Sequence, residues 1–277
     1  MSQVEDAVDE MIQSLEQDHS LENLANINRV ALELSTAGNL AAAQRLLERA
    51  LATYESRYAA DTINCSVLMH NLALQFEAQN DFEAARKLFT RALELREHRL
   101  GHDSLELLGC LDALGRLSAK LDRWNDSRLT ARRFFERALS IREKSASADD
   151  LETADCLLHS ASTYDHIIFG DNQMVKVGFL KRALRIYEDR YGENSVEVAH
   201  VLLGHLVLAS VPGGSGEVIG YINRAMAIFE TNGKIQSIKA SLRALYQDLT
   251  ILSSDVAATL RQRTDIIDET ILDGAVR

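Results

Sequence analysis

The chain has 277 residues, 46% of them hydrophobic and 26% charged, with a single proline and a formal net charge of -11. That balance describes a packed protein rather than a disordered one, and its sign excludes a nucleic-acid backbone as the main ligand. No stretch approaches the ~20 apolar residues of a membrane span, and so little proline points to helices throughout.

The first expected element is an amphipathic helix over residues 2–18, with Val4, Val8, Met11, Ile12 and Leu15 on one face. It is acidic: the first 20 residues hold six acids (Glu5, Asp6, Asp9, Glu10, Glu16, Asp18) and no Lys or Arg. This start lacks the basic-then-apolar layout of a signal peptide. The three cysteines, Cys65, Cys110 and Cys156, have an odd count and no CxxC spacing. Together these features place the expected protein in the cytoplasm with reduced thiols.

From residue 24 the chain repeats itself. Arg49-Ala50-Leu51, Arg91-Ala92-Leu93, Arg137-Ala138-Leu139 and Arg182-Ala183-Leu184 are followed by a variant, Arg224-Ala225-Met226. The spacings are 42, 46, 45 and 42 residues, the range of stacked helix pairs. Each unit reads as two helices. The first carries an apolar–small doublet: Val30-Ala31, Leu72-Ala73, Leu114-Gly115, Ser160-Ala161 or Leu203-Gly204. Three residues beyond the small one stands Leu34, Phe76, Ser118, Tyr164 or Val207. A small residue at a fixed place marks a close helix crossing.

After a turn, the second helix carries Ala43, Ala85, Ala131, Lys176 or Val218. Next come a large apolar pair (Leu46-Leu47, Leu88-Phe89, Phe134-Phe135, Phe179-Leu180, Tyr221-Ile222) and the Arg-Ala-Leu. That spacing is an amphipathic helix facing a core. Glu55, Glu97, Glu143, Glu188 and Glu230 follow each Arg by six positions, about 240° around a helix, so the two columns cannot pair within one helix. A ladder from the Arg of one unit to a Glu or backbone carbonyl of a neighbour is expected instead. Helix starts are expected at capping boxes Asp103…Glu106, Asp149…Glu152 and Asn194…Glu197. Residues 235–273 supply one or two further helices, read with the first as caps on an open stack.

Small residue, aromatic, turn, Ala, large apolar pair and Ala-Leu together resemble the tetratricopeptide repeat. The ~42-residue period and the 91–101 segment Arg-Ala-Leu-Glu-Leu-Arg-Glu-His-Arg-Leu-Gly resemble the subtype of kinesin light chains. Leu100-Gly101-His102-Asp103-Ser104 and Tyr191-Gly192-Glu193-Asn194-Ser195 stand where that subtype has a Gly-x-Asp-His-Pro linker, here without its proline. The resemblance implies an all-α, right-handed solenoid superhelix of about five helix pairs (24–63, 66–107, 108–153, 154–195 and 197–232). An acidic cap would occupy 1–23 and C-terminal capping helices 233–277.

It also implies a concave groove lined by the first helices, with Asn28, Arg29, His70, Asn71, Glu77, Asp112, Arg116, Lys120, Asp155, His159, Asp165, His166 and His205 on its faces. Asn71, in His70-Asn71-Leu72-Ala73, resembles the Asn-Leu-Ala whose amide holds a peptide backbone. Arg29, Arg116 and Lys120 suit an acidic group on the ligand. The implied function is a protein–protein interaction module, an adaptor, co-chaperone or assembly factor, that binds a peptide segment of another protein. Two alternatives stand beside it: self-association through the solenoid ends into a homo-oligomer, and autoinhibition of the groove by the acidic first helix.

Catalysis is not expected, because GxxxxGK[ST], GxGxxG and GxSxG are all missing and the carboxylates are scattered. No cofactor is expected. His159 and His166, and His200 and His205, lack the i, i+4 spacing that brings two imidazoles to one metal, so no metal site is expected.

Overall fold

A computed structural model describes residues 3–17, 21–58, 62–121, 125–145, 149–164, 171–206 and 215–234. The chain is all-α. It divides into two compact units, Met1–Lys144 and Ser145–Arg277. The first unit contains α1 (Gln3–Gln17), α2 (Leu21–Thr36), α3 (Leu40–Tyr58), α4 (Ile63–Ala78), α5 (Phe82–Leu100), a 3-10 turn (Leu105–Leu107), α6 (Leu108–Leu121) and α7 (Asn125–Glu143). The second contains α8 (Leu151–Ser162), α9 (Asp171–Tyr191), α10 (Val196–Val201), a π turn (Leu202–Leu206) and α11 (Ser215–Thr231).

Successive helices pack as pairs: α2 on α3, α4 on α5, α6 on α7, α8 on α9 and α10 on α11. Within the first unit, α3 also packs on α4 and α5 on α6, so each pair rests on the next. The apolar columns do this. The alanines of the repeated triplet, Ala50, Ala92, Ala138, Ala183 and Ala225, are all fully buried, as are Ala43, Ala85 and Ala131 about two turns earlier. Residues this small let helix backbones approach, and Leu46, Leu47, Phe89 and Phe135 fill the space beside them. In the second unit Leu180, Leu184, Val198, Leu202, Ile222, Met226 and Phe229 form one continuous core.

The turns within pairs are helix terminators with a left-handed residue. Gly38 has φ 83 and Asn80 φ 64, two residue types that tolerate this region. Asn39 N donates to Leu34 O at 2.8 Å and Asp81 N to Phe76 O at 2.9 Å, so the last free carbonyls are satisfied. Asp81 then caps α5 by accepting from Ala84 N.

Helix starts depart from the expected capping boxes by one residue. The caps are Ser104, Asp150 and Ser195, which accept from the backbone N–H of Glu106, Thr153 and Val198. The reason is backbone shape. These residues are extended immediately before the first turn, which aims their short side chains back at its donors. Asp103 and Asp149 are left for ion pairs, with Lys144 at 2.8 Å and Arg182 at 3.6 Å. Glu106, Glu152 and Glu197 sit in the first turn, where the helix dipole favours a negative charge.

The acidic helix α1 packs on α3, with Val8 buried and Asp9 paired to Arg45 at 3.1 Å. It therefore lies on the second helix of the first pair. The expected C-terminal caps over 235–273, the turn around Trp124 and the Pro212 turn lie outside the described residues.

Candidate functional site

The first helices of the first two pairs, α2 and α4, lie side by side over Leu47 of α3 and enclose a cleft of about 350 Å³. Its walls carry Asn28, Arg29, Ala31 and Leu32 from α2, and Asn71, Leu74 and Gln75 from α4. Leu32 and Leu74 occupy the same repeat position, one residue after the small crossing residue. They are 64% and 39% exposed, unusual for leucines beside a tight core.

Polar atoms between them are ordered across the helices. Asn71 Nδ2 donates to Asn28 Oδ1 at 2.6 Å, and Ser35 Oγ donates to Gln75 Oε1 at 3.0 Å. Each asparagine amide has a donor and an acceptor end, and this bond uses one end of each. The Asn71 carbonyl and the Asn28 amino group remain to face the cleft. Of the residues expected on the groove, Asn28, Arg29 and Asn71 come together here.

The other expected groove residues are engaged in packing the first unit. His70 turns its ring edge-on to Phe89, 5.1 Å between centroids, with Nδ1 3.4 Å from Cys110 Sγ. Burial, with the Arg96 and Arg116 charges close by, lowers its pKa to about 4, so it is a neutral packing residue at pH 7. Asp112 is the counterion of Arg142, which reaches it at 2.6 Å while only 2% exposed.

Arg116 and Lys120 face Glu77 of the preceding first helix at 3.5 and 3.6 Å, and Lys120 also lies over the Phe82 ring. They form a local charge cluster between α4 and α6, in which Lys120 stays half-exposed. Arg29 is exposed and held by Glu33 and Asn26 of its own helix. In the second unit, His159 Nδ1 lies 2.7 Å from Asp155 O, and Asp155 Oδ1 accepts from Tyr187 OH. His166 and Asp165 lie outside the described residues, and the side chain of His205 is not described.

The histidine environment makes pH a test of this assignment. A folded pKa below the ordinary 6.5 means that the unfolded chain binds the proton first. Stability is then complete above about pH 6.5 and lost as pH falls toward 4, by on the order of 2–3 kcal/mol. His70→Gln is expected to remove that part of the loss, read as the difference in urea unfolding between pH 7 and pH 4. Parallel losses in both proteins would show that the ring does not titrate against folding.

The Arg and Glu columns form the inter-pair ladder. Arg91 meets Glu55 at 2.9 Å, Arg137 meets Glu97, and Arg224 meets Glu188 at 2.6 Å. Arg137 and Arg224 also donate to the backbone carbonyls of His102 and Glu193, both at 3.0 Å. The ladder ties the second helix of one pair to that of the next and belongs to the architecture.

Residues 20–98 match the family model of the tetratricopeptide repeat. This segment carries tetratricopeptide repeats. Solved structures with the same fold include the kinesin light chain TPR-like repeats of Podosopora anserina, at TM-score 0.61 and 16% identity over 77% of this chain and 99% of that one. BtubC (BKLC) from P. vanneervenii aligns at TM-score 0.61 and 21% identity, covering 84% and 90%. The Rap protein complexed with Competence and Sporulation Factor aligns at TM-score 0.50 and 11% identity, covering 96% and 80%. No curated protein sequence matches the chain.

Tetratricopeptide repeats are in general protein-interaction modules, and repeats like these typically form non-catalytic scaffolds. No described helix is long and apolar enough to cross a membrane.

Two features of these repeats were accessible in the sequence but not singled out by it. The Leu32–Leu74 column was hidden because apolar residues on a helix read as core. The position five residues after each repeat arginine holds Tyr54, Arg96, Arg142, Tyr187 and Phe229, a column of long side chains. Arg96 in that column is buried and bonds Ser66 Oγ and Glu106 O, joining three segments.

Proposed function

We propose that the repeats bind an extended peptide segment of a partner protein along the first-helix face, with the α2–α4 cleft as the anchoring site. The observation that carries this reading is the pair of cross-linked amides, Asn28 and Asn71, set between the exposed Leu32 and Leu74. An extended strand offers alternating C=O and N–H groups, which the free amino and carbonyl ends of the two amides complement. The leucines give an apolar side chain of the same segment a place to lose water. The five helix pairs, 24–63 through 197–232, make up the module in this reading, and the role is that of an adaptor or assembly factor.

Peptides selected against the intact chain from a random display library would be measured by titration calorimetry. Asn28→Ala/Asn71→Ala removes two hydrogen-bonding groups and is expected to weaken binding about tenfold or more, with helicity unchanged. Leu74→Glu places a charge on the apolar wall and is expected to abolish it. Peptides that bind both variants as tightly as the parent would refute the anchoring site.

A further inference from the structure

A second cleft, of about 510 Å³, opens on the other side of the first unit, between the second helices α5 and α7 with α6 as its floor. The repeat pattern explains why it is there. Three residues after the small crossing residue, the second pair has Phe76, a half-buried aromatic, whereas the third pair has Ser118. Ser118 is the smallest side chain at a position that elsewhere holds Leu34, Phe76, Tyr164 or Val207, so it leaves space there. Leu114 and Phe134 line the opening around it.

The rim is positive in a chain that is strongly acidic. Arg86, Lys87 and Arg91 from α5 face the opening against one carboxylate, Glu94. Arg86 is paired to Glu83 at 2.7 Å and Arg91 to Glu55 at 2.9 Å, both with half-exposed guanidinium groups. The Arg86–Glu83 pair, exposed on both sides, contributes little and exchanges readily for another anion, whereas Arg91 stays in the ladder. Lys87 has no ion pair or hydrogen bond among the described residues. The long stems of these three side chains extend the apolar wall toward the rim.

We propose that this cleft is a second binding site, for a small amphipathic anion: an aromatic or branched apolar body bearing one carboxylate, sulfonate or phosphate. The apolar body takes the space left beside the small Ser118, and the anionic group meets Lys87 and Arg86. The volume falls within the range of small-molecule sites, about 300–1,000 Å³, with Leu114 and Phe134 as its apolar surface and Thr90, Thr130 and Ser118 as neutral polar groups beside it. Neither residue set overlaps the α2–α4 cleft, so the two sites stand or fall separately.

The probe is 1-anilinonaphthalene-8-sulfonate, titrated by fluorescence into the intact chain, with uncharged N-phenyl-1-naphthylamine as its neutral counterpart. One saturable site is expected, preferring the sulfonate. Ser118→Phe fills the floor and is expected to abolish that site while preserving the helical spectrum. Lys87→Glu, an exposed change with little consequence for folding, is expected to weaken the sulfonate about fivefold or more and leave the neutral probe unchanged. Absence of saturable binding, or binding that survives Ser118→Phe in the folded protein, overturns the site. Equal affinity for both probes, insensitive to Lys87→Glu, overturns its anion selectivity. Should Ser118→Phe fail to fold, the Lys87→Glu comparison decides alone.

Discussion

Asp112→Ala is expected to lower the free energy of unfolding by about 3–5 kcal/mol, the largest effect of any single polar substitution considered. Arg142 is 2% exposed and its guanidinium reaches the Asp112 carboxylate at 2.6 Å. Removing the carboxylate takes from this buried cation the counter-charge that helps offset its desolvation. An exposed pair would cost less than about 1 kcal/mol, so urea unfolding distinguishes a groove residue from a buried counterion. Asp112→Leu/Arg142→Met is expected to recover most of the loss, because replacing both members of a buried pair by apolar residues is often neutral. A small effect of Asp112→Ala would return this residue to the list of ligand-facing side chains.

Gly115→Ala sets two effects against each other. Alanine in a helix interior gains about 1 kcal/mol over glycine. A Cβ at this position, however, would stand 2.5 Å from Phe135 Cε1, 2.6 Å from Cζ and 2.9 Å from Cδ1. Phe135 is 1% exposed and has nowhere to swing. Overpacking of this kind costs about 1–3 kcal/mol, and with three ring atoms inside contact distance the upper part of that range applies. The net expectation is a loss of about 1–2 kcal/mol. Phe135→Leu in the same chain should relieve part of it. Gly178→Ala is the control: nothing lies within 4 Å of its added Cβ, and a gain of about 0.5–1 kcal/mol is expected. Thermal unfolding of the two single variants should move in opposite directions. Movement in the same direction would remove Gly115 as the point of closest helix approach.

Much of the architecture was legible in the sequence because it repeats. The small residue of each first helix, the buried alanine of each second helix and the Arg-to-Glu spacing recur five times, and one unit's ambiguity is resolved by its neighbours. The Arg–Glu ladder followed from geometry alone, since six positions around a helix forbid pairing at home and require it next door. The site was less legible. Asn28 and Asn71 were expected on the groove and do meet, but His70, Asp112, Arg116 and Lys120 each make contacts to neighbouring helices, within a pair or between pairs. Sequence periodicity says which side of a helix a residue is on. It does not say whether a long side chain bends back to a neighbour or stays in the open.

The sequence by itself determined the helices and their pairing, because these rest on local propensity and on apolar spacing that survives substitution at any one position. Only the tertiary structure decided which polar residues are free. That depends on distances of a few ångströms between segments 30–43 positions apart: Arg142 to Asp112, Asn71 to Asn28 and Glu77 to Arg116. It also set Ser118 beside an open cleft, since a void exists only when the helices around it are held in place by everything else.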